Sequence, residues 1–170
     1  MGAEQQRGGE TDIGYPVRCE RWPAFDLIGF TKIVSSGGEQ YDAVRGDGRW
    51  EVLRRMAGAD QRIYGVASHD AECPEGRYRY TVAVREPAGP CARDDLFPIH
   101  IGESEWLVFT LTHFGRQYGA FWQDNPYALT RKLGREFNRA VGLHLDVFDA
   151  SEDDSMEFWM PVLAGKEGPQ

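Results

Sequence analysis

Two stretches of this chain can be laid over one another: "ASHDAECPEGRYRYTVAV", from Ala67, and "DVFDASEDDSMEFWMPV", from Asp146. They match through Asp70 with Asp149, and approximately through Val84 with Val162. Each is a pair of alternating runs around a polar turn, the pattern of an antiparallel hairpin. Each is preceded by a helical segment, and that segment by a strand-like one. "VRCERWPAFDLIGFTKIV", broken at Pro23 and resumed at Phe25, leads through the Gly-rich loop 35–48 to "RWEVLRRMAG", where Trp50, Leu53 and Met56 sit at helical spacing. "LFPIHIGESEWLVFTLTHF" leads to a helix opened by Asn125 as N-cap and Pro126 in the first turn. Leu129, Leu133 and Phe137 mark its buried stripe, which Val141 extends. An order of strand, helix, strand, strand, used twice, predicts an α+β domain with an antiparallel sheet and two main helices, a duplicated β-α-β-β unit. The domain is expected over 16–163, with halves of about 16–87 and 96–163 joined by "PAGPCARDD", a disordered tail over 1–15 and a short tail over 164–170.

A chain of 170 residues, 41% hydrophobic and 12% aromatic, has enough apolar side chains for such a core. Its formal net charge of -8, without a basic stripe among aromatics, argues against direct contact with nucleic acid. No apolar run reaches the length of a membrane span, and the start has neither a signal-peptide core nor, with Gln6, the myristoylation pattern. Cys19, Cys73 and Cys91 form no CxxC pair, so a reduced, cytoplasmic protein is expected.

Familiar catalytic motifs are missing. Loop 35–48 lacks the Gly-Lys-Ser/Thr of a phosphate-binding loop. His69, Asp70 and Cys73 have no second ligand pair at metal spacing, so neither metal nor cofactor is expected. The final hairpin carries more information. Leu145, Val147, Met156, Phe158, Met160 and Val162 alternate onto one face. His144, Asp146, Phe148, Glu157 and Trp159 alternate onto the other. Carboxylates among rings need a cation or a donor, and rings need a neighbour that excludes water. A flat aromatic cation meets both needs, and an ordinary solvent-facing side of a sheet remains the alternative. Asp146 meets Ala67 in the overlay, so this acid belongs to one half only.

"WPAFDLIGFTKI", "GVASHD…RYRYTVAV", "EWLVFTLTHFG" and "LHLDVFD…MEFWMPV", in this order, resemble the GyrI-like small-molecule-binding domain, the effector-binding domain of AraC- and MerR-type multidrug regulators. The resemblance spans about 16–163 and implies the same duplicated fold, with a cleft between the halves for bulky, often cationic, aromatic molecules. It places the family's acid on Asp146, in Leu145–Asp146–Val147–Phe148, and its aromatic residues on Trp159 and Trp106. Tyr80 and His69 fall in the matching hairpin of the first half. Two departures stand out: Asp146 replaces the usual Glu, which lets Glu157 share its role, and Phe148 replaces Tyr.

The expected function is therefore a stand-alone binder of hydrophobic, cationic or aromatic small molecules, sensing or sequestering a drug or toxin. Asp146 would be its charge anchor and Glu157 the second acid. Trp106, Trp159, Phe148 and Tyr80 would be its walls, and the Tyr118–Trp122 loop its lid. No helix-turn-helix fits before residue 16. A hydrolase that opens cyclopropane-containing genotoxins, with Asp146 or Glu157 as base, stays open as an alternative. So does a module with a protein partner, such as a gyrase inhibitor.

Overall fold

The structure is a computed structural model and describes residues 13–86, 93–112, 114–151 and 154–165. Cys91, most of the expected linker and the greater part of both expected tails lie outside the described residues. In chain order the elements are β1 (Val17–Trp22), β2 (Phe25–Val34), α1 (Gly37–Gly46), α2 (Arg49–Ala57), β3 (Arg62–Ser68) and β4 (Tyr78–Arg85). There follow β5 (Phe97–Ile101), β6 (Ser104–Thr112), α3 (Phe114–Asp124), α4 (Pro126–Lys132), β7 (Leu145–Asp149) and β8 (Ser155–Val162). The expected α+β class holds, with antiparallel strand pairing and the same element order used twice. No helix among the described residues is long and apolar enough to cross a membrane.

The elements group into two compact units, and each unit takes strands from both ends of the chain. The first holds β1, β6 and β8 in that order, with α3 and α4. The second holds β7, β3, β4, β2 and β5 in that order, with α1 and α2. Directly opposed residues of an antiparallel pair share a face, so register assigns every side chain. In the first unit Val17, Phe109 and Phe158 form one row. Phe121 of α3 packs on that row, 5.3 Å from Phe109 and 5.0 Å from Phe158 between ring centroids. The helix-covered face of this unit thus has an aromatic core, and the indoles of β1, β6 and β8, with Arg18, Glu20 and Glu157, fall on the other face.

Four local expectations need correction. The supposed loop 35–48 contains α1, whose Gln40 and Val44 are buried and whose Gln40 amide donates to the Phe30 carbonyl. Packing against β2 outweighs its glycines there. The break at Pro23 is not a kink in one strand: β1 pairs with β6, while β2 pairs with β4 and β5. Tyr118 and Trp122 lie in α3, not in a loop. Finally, α4 ends at Lys132, because Gly134 adopts a φ of 73° that terminates a helix. Phe137 instead bridges to Val162.

Candidate functional site

The first unit concentrates three indoles and three charges on the sheet face that α3 leaves uncovered. Register aligns Arg18 with Val108 and Trp159, and Glu20 with Trp106 and Pro161. The alternation of "VRCERW" sends Arg18, Glu20 and Trp22 to the same side as these tryptophans. Trp159 lies between the other two indoles, 5.7 Å from Trp22 and 6.0 Å from Trp106. Both Trp106 and Trp159 are fully buried, at 0% exposure.

The charges are tied to the rings. Glu20, itself buried, accepts from Arg18 Nε at 2.8 Å and from Trp22 Nε1 at 2.9 Å. Glu157 accepts from Trp159 Nε1 at 3.2 Å and pairs with Arg18 Nη2 at 2.5 Å. Burial by itself would lower the Arg18 pKa, but the hydrogen bonds and charges of Glu20 and Glu157 outweigh it and raise it. The Trp106 indole is different: its buried Nε1–H finds no acceptor among the described residues. A buried donor without a partner costs about 1–3 kcal/mol.

The second unit holds the other acid. Asp146, 3% exposed, lies opposite Gly65 and accepts from the Tyr80 hydroxyl at 2.8 Å. A Cβ at Gly65 would overlap that hydroxyl, so the glycine is what lets tyrosine and carboxylate meet across β3. Phe148 packs against Tyr41 of α1, 4.9 Å away, and Trp50 of α2, 6.2 Å away. His69 is exposed just after β3, and its neighbour Asp70 is engaged by Arg79 at 2.9 Å.

Of the residues singled out in the sequence, Trp106, Trp159 and Glu157 come together in one unit, and Asp146 and Tyr80 in the other. Tyr118 and Trp122 form an edge-to-face pair along α3. Trp122 also meets Phe158 and His144 on the helix-covered face of the first unit. His144 belongs with that face, not with Trp159: it stacks on Phe158 at 4.9 Å. It precedes β7, so strand alternation does not govern it. Ring packing desolvates its imidazole and lowers its pKa to about 4. The residues the sequence reading overlooked are Arg18, Glu20 and Trp22. Their spacing at every second position, mixing an indole with charges, is the same signal that marked Glu157 and Trp159.

Comparison with known proteins agrees with this architecture. SAV2435, in a structure bound to tetraphenylphosphonium, superposes with a TM-score of 0.69 at 13% identity, over 86% of this chain and 93% of that one. A bacterial transcription regulation protein from Staphylococcus aureus gives 0.61 at 16% identity, over 88% and 98%. The C-terminal domain of EcmrR gives 0.57 at 10% identity, also over 88% and 98%. At such identities these likenesses establish the fold alone. No curated protein matches the chain by sequence. The GyrI-like small molecule binding domain matches residues 15–162, nearly the whole described chain, and the protein belongs to that family.

Proposed function

We propose that this small-molecule-binding domain captures a hydrophobic, aromatic compound on the Trp22–Trp159–Trp106 face of its first unit, to sense or sequester it. The observation that carries this reading is the fully buried Trp106 indole N–H, which lacks an acceptor among the described residues and lies beside two other indoles and two carboxylates. Indole faces supply stacking area, carboxylates supply charge, and the N–H supplies one directional bond. SAV2435, of the same fold, is described bound to tetraphenylphosphonium, which supports aryl-rich probes as the first to try.

The test is a titration of intrinsic tryptophan fluorescence with aryl-rich probes, on wild type, Trp159→Ala and Asp146→Asn. Saturable quenching that Trp159→Ala weakens about tenfold or more supports the reading. Affinity lost in Asp146→Asn and kept in Trp159→Ala would move the contact to the second unit. Quenching that never saturates would reject small-molecule capture by these residues. A search for modified product in the same samples separates binding from turnover.

A further inference from the structure

The acids of the indole face are already occupied. Glu20 uses one oxygen for Arg18 and the other for Trp22. Glu157 uses one for Arg18 and the other for Trp159. Arg18 thus bridges two carboxylates, one from its own strand and one from β8. The guanidinium offsets part of the negative charge that Glu20 and Glu157 bring to the face. A cation of similar size can enter only by displacing Arg18 or by sharing what is left. Displacement is physically open, since the Arg18 side chain retains 29% exposure and Glu157 24%. Its cost is two charge-assisted contacts, which are stronger than neutral ones. The fully buried donor of the face that lacks an acceptor among the described residues is neutral, the Trp106 N–H.

Building on the proposed site, we propose that Arg18 is a specificity-determining residue: a resident cation that disfavours cationic ligands and favours neutral aromatic ones bearing an acceptor oxygen, which Trp106 Nε1 would hold. A carbonyl or phosphoryl oxygen on an aryl framework is the chemistry that fits. Removing the guanidinium exposes both carboxylates to an incoming cation, and replacing it with another fixed cation does not.

Two probes of similar aryl content separate these terms. Tetraphenylphosphonium is a cation without an acceptor, and triphenylphosphine oxide is neutral with a strong one. Both are titrated by fluorescence and calorimetry against wild type, Arg18→Met, Arg18→Lys and Trp106→Phe, with near-UV circular dichroism to confirm that each variant is folded. Arg18→Met should shift the affinity ratio about tenfold toward the phosphonium, and Arg18→Lys should keep the ratio near wild type. Trp106→Phe trims a stacking wall for both probes and removes the N–H, so it should weaken the oxide about fivefold more than the phosphonium. Should Arg18→Met not fold, the contrast is read from Glu20→Gln, which removes one of the charges holding Arg18 and should move the ratio further toward the oxide. If the probes bind yet Arg18→Met moves the ratio by less than threefold, Arg18 sets no specificity and the inference fails alone. If neither probe binds any folded variant, the face is not a ligand site and both readings fall together.

Discussion

At the scale of single residues, the clearest constraint is the meeting of Tyr80 and Asp146 across Gly65. A methyl group at Gly65 must push the Tyr80 hydroxyl off the carboxylate or separate β3 from its neighbours. Gly65→Ala should therefore destabilise the fold by about 2–4 kcal/mol, an overpacking cost plus a lost buried hydrogen bond. Tyr80→Phe should cost about 1–3 kcal/mol. Urea unfolding measures both, and a Gly65→Ala protein as stable as wild type would show that the approach is not tight. His144 gives a second, pH-dependent case. Its folded-state pKa of about 4 lies below the ~6.5 of a free imidazole. Its contribution is complete above pH ~6.5, is lost as pH falls through that window, and loses nothing more below about pH 4. The group is half-buried, so the expected loss is about 1–3 kcal/mol, below the full value of the shift. His144→Phe should remove that part of the slope when melting temperature is followed between pH 7 and 4. Alternation was enough to mark Trp159 and Glu157, because both lie inside a regular strand. It misplaced His144, which lies one residue outside one.

At the scale of elements, α4 is the instructive case. It has seven residues, too few to be stable by propensity, and depends on its ends. Asn125 Oδ1 accepts from Tyr127 N at 3.0 Å and from Ala128 N at 3.4 Å, as the Asn-Pro pair in the sequence foretells. Asn125 also sits at a φ of 65°, which asparagine tolerates and alanine does not. Asn125→Ala should cost about 1–2 kcal/mol and Asn125→Gly clearly less, measured by thermal or urea unfolding. The start of this helix was legible because capping is local chemistry. Its end was not, since Leu133, Phe137 and Val141 keep a helical period although the chain turns at Gly134. The reverse failure concerns α1: its glycines read as a loop, and only the burial of Gln40 and Val44 makes it a helix. Tertiary contacts of that kind leave no trace in a window of ten residues.

At the scale of the whole molecule, the duplicated order of elements was readable and the pairing of strands was not. Order follows from local periodicity, whereas β1 meeting β6 joins residues from Val17 to Phe109. For that reason Arg18, Glu20 and Trp22 could not be placed beside Trp106 and Trp159 from the sequence. A ligand of the indole face binds the native state only, so it should raise the melting temperature with concentration. Saturation at a hundred times Kd corresponds to about 2.7 kcal/mol of added stability. Differential scanning fluorimetry reads this directly, and Trp159→Ala should flatten the response.

The sharing of strands between the two units also bears on how the chain is made. During synthesis β1 emerges first, yet its partner β6 is encoded more than eighty residues later, and β8, which completes the same sheet, comes last. The other unit waits for β7 in the same way. Neither unit can complete its sheet on a nascent chain that stops near the middle, so folding is postponed until the last two strands have left the ribosome. Expressed as two fragments divided at the linker, the protein should yield two insoluble pieces, and co-expressing them should restore solubility, since each carries the strands the other lacks.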